Sequence, residues 1–174
     1  MVQKSNSGKA SIVAILILLG VVVTVVKNLE VAEANHHGEM TALTGQDYEE
    51  IKALYSRYNQ GSDFRDVELF LSAFADDAIM TREGGNIVGM GELRADRDRR
   101  YQGQTGDVGR RHLNGSYLIE STAEGAEAKT YYILMDVTER PPSIVGSGYY
   151  DDEFVKTDAG WKIKHRTLYR DTLD

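Results

Sequence analysis

The order in which hydrophobic periodicity changes along this chain constrains its fold most: two helical-period segments come first, and four strand-like runs with short breaks follow. In residues 44–60, Tyr48, Ile51, Leu54, Tyr55 and Tyr58 share one helical face behind a capping-box pair, Thr44 and Asp47, with Glu49 and Glu50 in the first turn and Arg57 in the last. Gln60-Gly61 marks the end of that helix. Asp66 caps a second, in which Val67, Phe70, Leu71 and Phe74 recur at helical spacing. Ala78 to Thr81 and Ile87 to Val88 flank Glu83-Gly84-Gly85-Asn86 as a small hairpin, and residues 90–101 read as a polar, charge-laced helix. After a Gly-rich loop over 102–109, strands are expected at 111–121, 129–139, 144–156 and 161–171, broken at Glu124-Gly125, Pro141-Pro142 and Asp158-Ala159-Gly160. Helices followed by consecutive antiparallel strands mean an α+β fold, a curved antiparallel sheet wrapped by about three N-terminal helices. Long curved strands of this kind can close into a cone with an apolar mouth, a preferred place for ligands. No internal repeat and no second domain is legible.

The N-terminus is of another kind. Lys4 and Lys9 precede residues 10–26, which are apolar or small throughout, and Lys27 closes the run. This reads as a secretory signal, slightly long for a cleaved one and slightly short for a bilayer span of about 20 residues. Ala32-Glu33-Ala34 fits cleavage after Ala34, and an uncleaved anchor is the competing reading; residues 35–43 are a polar linker. On either reading the domain is exported, periplasmic or secreted in the first case and membrane-tethered outside the cytoplasm in the second.

The formal net charge is −7, and residues 1–34 hold three lysines and two glutamates, a surplus of one positive charge, so the remainder carries −8. Such a balance excludes nucleic acid and anionic membrane surfaces as partners, because phosphate binding needs a basic face. Membrane contact is confined to residues 10–26 if they are retained. No cysteine is present, which excludes disulfides, thiol nucleophiles and cysteine-type zinc sites. The exported body of about 130 residues must therefore stand on its core. Cleavage after Ala34 would place His37 third in a terminus able to hold Cu(II) or Ni(II), but a plain linker explains Asn35-His36-His37 as well, and no metal is assigned.

Within the body only His112 and His165 are histidines. His112 opens a strand-like run, and imidazole is the side chain that gives and takes protons near neutral pH. Asp63, near the end of the first helix, is a candidate partner that would fix its tautomer, although a turn after that helix also explains an aspartate. Tyr58 lies on the apolar helix face, where packing explains its ring and its hydroxyl still needs a partner. Asp136 stands inside an apolar strand run, on the face of Tyr132 and Leu134, unless the strand ends just there. The arginines at 94, 97, 99, 100, 110 and 111 are interleaved with Asp96, Asp98 and Asp107 and read as a solvated, salt-bridged face. Gly84-Gly85 and Gly89-Met90-Gly91 lack the residues of a phosphate loop, and His165 reads as a sheet-surface residue.

The combination of Tyr58, Asp63, His112 and Asp136 at these positions resembles the SnoaL-like branch of the nuclear-transport-factor-2-like superfamily, with bile-acid 7α-dehydratase, scytalone dehydratase, hexachlorocyclohexane dehydrochlorinase and polyketide cyclases among its members. Ile51-Lys52-Ala53-Leu54-Tyr55, Phe74-Ala75-Asp76-Asp77-Ala78, Arg111-His112-Leu113-Asn114, Gly148-Tyr149-Tyr150-Asp151 and Gly160-Trp161-Lys162-Ile163 carry the likeness, over about residues 44–171. The resemblance implies that His112 is a base, Asp63 its orienting carboxylate and Tyr58 an assistant to a developing oxygen. It also implies pocket positions for Asp136 and for an arginine of the last strand, Arg166 or alternatively Arg170. A tyrosine, Tyr132, stands where scytalone dehydratase has its second histidine, and Leu134 where limonene-epoxide hydrolase has an arginine, which disfavours those two reactions.

These residue types need no cofactor. A base, an oxygen stabiliser and a dry pocket suffice to remove a proton beside a carbonyl, giving elimination if a β leaving group exists and isomerisation or cyclisation if not. The expectation is thus a lyase or isomerase, dehydratase-like elimination favoured, acting on a small hydrophobic carbonyl compound. A non-catalytic hydrophobic-ligand-binding or dimerisation domain is the alternative, and a homo-oligomer, dimer or trimer, is expected in either case.

Overall fold

The computed structural model describes residues 42–172, so the leader-like run 10–26, the cleavage point after Ala34 and most of the linker lie outside it. The first helix, α1, spans Gly45–Asp63, and its capping box forms as expected: Asp47 N donates to Thr44 Oγ1 at 3.2 Å and Thr44 N to Asp47 Oδ2 at 2.8 Å. The same carboxylate accepts from Lys156 Nζ at 2.6 Å and Trp161 Nε1 at 2.8 Å, which pins the start of α1 to two strands of the sheet. Those bonds, that of Lys156 first, hold the Asp47 carboxyl far below the usual carboxylate range. Ile51, Leu54, Tyr55 and Tyr58 form the buried face, as their spacing requires.

The second helix, α2 (Val67–Leu71), is capped by Asp66 and stops after five residues. Phe74, expected on its face, opens strand β1 instead, because the backbone leaves the helix at once to join the sheet, where Ile163 N donates to Ala73 O at 2.9 Å. Gly61 makes the α1–α2 crossing possible, since a Cβ there would collide with the backbone of Phe70.

The remaining elements are β1 (Phe74–Arg82), β2 (Gly85–Val88), α3 (Gly89–Tyr101), β3 (Arg110–Ser121), β4 (Ala126–Asp136), β5 (Ser143–Thr157) and β6 (Gly160–Arg170). They form one sheet in the order β2-β1-β6-β5-β4-β3. The sheet is mixed, which corrects the antiparallel expectation: β1 and β6 run parallel, with Met80 opposite Arg166, while every other pair is antiparallel. The chain crosses through α3 to the far edge and meanders back, so β6 arrives beside β1 in the same direction. The sheet is also open rather than a closed cone, with β2 and β3 as its edges. Register shifts in four of its five pairings bend the strands around the helices. Among the described residues no helix is long and apolar enough to cross a membrane.

Period-two alternation sorts the faces. In β4, Ala126, Ala128, Thr130 and Tyr132 are buried while Glu127, Lys129 and Tyr131 point outward. In β5, Tyr150, Asp152 and Phe154 face inward, and Asp152 stands directly opposite Arg166 of β6. Their side chains make a bidentate pair, Nε to Oδ1 at 2.7 Å and Nη2 to Oδ2 at 2.8 Å, with neither exposed at all. The guanidinium lies 4.1 Å from the ring centre of Tyr150, 4.3 Å from Tyr58 and 4.9 Å from Tyr55. Asp152→Ala should strand that cation and destabilise the fold by about 3–5 kcal/mol in denaturant melts. A loss below about 1 kcal/mol would show that the arginine finds other compensation.

Candidate active site

Asp63 is the last residue of α1, and the loop before β3 is laced to this helix end: Val108 N donates to Asp63 O at 3.1 Å and Gly106 N to Phe64 O at 2.9 Å. β3 is an edge strand, so an N–H on its free side has no ladder partner. Asp63 supplies one, accepting from His112 N at 3.0 Å through Oδ2. Its other oxygen lies 2.6 Å from His112 Nδ1. One buried carboxylate thus fixes both the backbone and the ring of His112, and with the proton on Nδ1 it leaves Nε2 as the basic nitrogen.

His112 lines a cavity of about 380 Å³ between α1, α3 and the concave sheet face. Tyr58 lines it too. Tyr150 and Tyr132, stacked at 4.9 Å between ring centres, form one wall, and Met80, Leu134 and Leu168 add apolar surface. Room for the Tyr132 ring comes from Gly148 across the β4–β5 ladder, where a Cβ would press on that ring and on Tyr169 O. Burial pushes the hydroxyls of Tyr150 and Tyr132 above the ordinary tyrosine range, so both remain donors near neutral pH.

The structure therefore brings His112, Asp63 and Tyr58 together and leaves two expected residues apart. Asp136 is the last residue of β4, where its carboxylate accepts from Thr138 N and Thr138 Oγ1 and pairs with Arg110 at 2.9 Å, outside the cavity lining. Arg166 is sealed in its pair with Asp152, behind Tyr58 and Tyr150, and does not line the cavity; Arg170, four residues nearer the end of β6, does.

Sequence reading missed the third wall, built by arginines. Arg97, read as part of a solvated face, is buried over the Phe70 ring at 4.4 Å, and it lines the cavity with Arg82 and Arg100. All three reach the buried carboxylate of Asp96: Arg82 Nη2 and Arg97 Nη2 at 2.5 Å, Arg100 Nε at 3.2 Å. The available signal was position, since Arg97 stands four residues from both Leu93 and Tyr101, on the buried stripe of α3.

An open mixed sheet wrapped by N-terminal helices is the cystatin-like, NTF2-like α+β fold. Within that class the chain belongs to the SnoaL-like domain family, whose model matches residues 44–167. Among solved structures it is similar to a protein of unknown function with a cystatin-like fold from Nostoc punctiforme, at 26% identity over 74% of this chain and 94% of that one, TM-score 0.66. It is also similar to a function-unknown protein from Mycobacterium tuberculosis, at 28% identity over 73% of each chain, TM-score 0.63. A putative scytalone dehydratase from Novosphingobium aromaticivorans shares the fold at 21% identity over 72% of this chain and 85% of that one, TM-score 0.59. No curated protein matches the chain.

Burial opposes the charge of Asp96, but the bonds from Arg82 and Arg97 and the field of Arg100 outweigh it and bring its pKa from 3.8 to about 2. A carboxyl depressed in the folded state stabilises it above the unfolded pKa, and that contribution is lost as pH falls through the folded value. Between about pH 4 and pH 2 the thermal midpoint should fall more steeply in wild type than in Asp96→Asn, which starts lower at neutral pH. Parallel pH profiles would exclude Asp96 as a source of the acid sensitivity.

Proposed function

We propose that this protein is a cofactor-independent lyase or isomerase that removes a proton beside a carbonyl of a small hydrophobic molecule, with dehydratase-like elimination as its net reaction. The observation that carries the reading is the 2.6 Å contact between His112 Nδ1 and Asp63, with His112 lining the cavity. His112 Nε2 takes the proton, and the electron pair moves onto the carbonyl oxygen as an enolate. Asp63 stabilises the imidazolium that forms. The Tyr58 hydroxyl donates to the developing oxyanion beside the apolar surface of Tyr132, Leu134 and Tyr150. Collapse of the enolate expels a β hydroxide, which leaves as water with the proton that His112 returns. Asp136 takes no part, and Arg166 acts only by fixing the ring of Tyr58. The leader-like run 10–26 supports a place of work outside the cytoplasm.

A panel of β-hydroxy ketones and β-hydroxy thioesters, followed by the absorbance of the conjugated product, tests the chemistry. His112→Ala should lower turnover by about 10²–10⁴-fold while the protein melts as wild type does. Asp63→Asn should lower kcat with little change in KM. If the asparagine variant turns over at the wild-type rate, the carboxylate merely ties a loop to a helix.

An outward apolar surface supports a homo-oligomer. Leu113 and Ile133 are exposed cross-strand partners, and exposed Ile144 and Tyr131 lie on neighbouring stretches of β5 and β4. Light scattering on the eluting protein should give a dimer or trimer mass, and Ile133→Lys should shift it toward the monomer. A wild-type monomer would remove this part of the proposal.

A further inference from the structure

We propose that the neck of the cavity is an anion subsite, where Arg82, Arg100 and Arg170 receive a carboxylate carried by the apolar substrate. The inference rests on the reading that this cavity takes the substrate, and it names the substrate's class: hydrophobic carbonyl compounds that are also carboxylic acids.

Position is the first argument. A second hollow of about 570 Å³ adjoins the cavity, and Arg82, Arg100, Leu168 and Arg170 line both. These three arginines therefore stand where a molecule seated against His112 leaves the apolar interior.

Donor arithmetic is the second. A carboxylate offers about four lone-pair sites. At Asp96 they are taken by two bonds from Arg82 and two from Arg97, and Arg100 adds only weaker contacts through Nε at 3.2 and 3.4 Å. Both terminal nitrogens of Arg100 remain without partners among the described residues, and there Arg170 makes no hydrogen bond or ion pair at all. Four arginines thus line a cavity whose one acidic lining residue is Asp171, itself accepting from Ser147 Oγ at 2.6 Å; Glu83 lies in the adjoining hollow. Burial lowers the pKa of Arg100, and the fields of Arg82 and Arg97 lower it further against the pull of Asp96, as expected for cations crowded beyond their counter-charge. In a chain of net charge −7, such a convergence at a cavity mouth is a local field that attracts an anion. Planar guanidinium forks match a carboxylate in two-bond geometry, and Asp96 holds Arg82 and Arg100 in place from behind.

The test compares 2-naphthoate with 2-naphthamide, the same ring system with and without the charge, by calorimetric titration of the full chain. Wild type should bind the acid about tenfold more tightly than the amide. Arg100→Gln/Arg170→Gln, two substitutions at exposed side chains, should abolish that preference and leave amide affinity within about twofold. Equal affinity of the two probes for wild type, no binding of either, or a preference that survives the double substitution would each overturn the assignment. Turnover takes no part in the measurement. Failure of the elimination chemistry therefore leaves a carboxylate preference standing, and failure of the preference leaves the chemistry standing.

Discussion

A fully buried ion pair, Arg166 with Asp152, is the constraint on which the concave face is built. Neither group could be tolerated there alone, because removing one ion from water costs several kcal/mol even after relaxation. Two short parallel hydrogen bonds meet most of that cost. The remaining Nη1 has no hydrogen-bond acceptor, but the guanidinium is surrounded by the rings of Tyr150, Tyr58 and Tyr55, whose negative π faces offer what an oxygen would. The consequence runs outward. Rings held against a fixed cation cannot wander, and Tyr58 and Tyr150 present their other surfaces to the cavity. The pair thus serves the site through the rigidity of its walls.

Asp63 plays a comparable part at the cavity's other side, with fewer atoms. It closes the end of α1, accepts the unpartnered backbone N–H of an edge strand, and orients the ring on that same strand residue. A site on a loose loop would let the imidazole drift; here the histidine is fastened twice to one helix. Since the helix start is itself fastened to β5 and β6 through Asp47, the carboxylate that orients the His112 ring rides on a helix tied to the sheet at both ends.

Local chemistry made much of this legible in the sequence, and depth made the rest illegible. Thr44 with Asp47, Asp66, and the helical spacing of Ile51, Leu54, Tyr55 and Tyr58 all depend on near neighbours, and the start and buried face of α1 and the α2 cap formed as read, while α1 runs past the expected stop at Gln60-Gly61 to Asp63. His112 and Asp63 were candidates because of their chemistry, and the fold brings them within bonding distance. By contrast, Arg166 and Arg170 have the same parity on β6, so alternation cannot separate them. One lies beneath three tyrosines and the other at the mouth, a difference set by strand depth. Asp136 fails for a related reason: parity placed it on the correct face, but the strand ends there and the β4–β5 register shifts just before it. Asp152 stands among the acidic residues of Tyr149-Tyr150-Asp151-Asp152-Glu153, where only the two-residue spacing to the buried Tyr150 and Phe154 marks its face. The parallel β1–β6 contact depends on where a distant strand returns, which no local pattern encodes.

Helix α3 carries the same lesson into function. Its charges leave only Leu93 and Tyr101 to mark the buried stripe, and a surface reading follows from treating every arginine and aspartate alike. Burial divides them instead: Asp96 and Arg97 are inside while Asp98 and Arg99 are out. Once one carboxylate is buried, arginine is the residue best able to accompany it, because its fork bonds in pairs and its flat face packs on Phe70. The number of arginines then exceeds what that carboxylate can bind. A purely structural cluster would settle near neutrality, since each unpaired cation beside another is repelled by it. The surplus is held on the cavity side of an otherwise acidic protein, in the same lining as His112, which is why the proposed anion subsite and the histidine–carboxylate pair belong to one cavity.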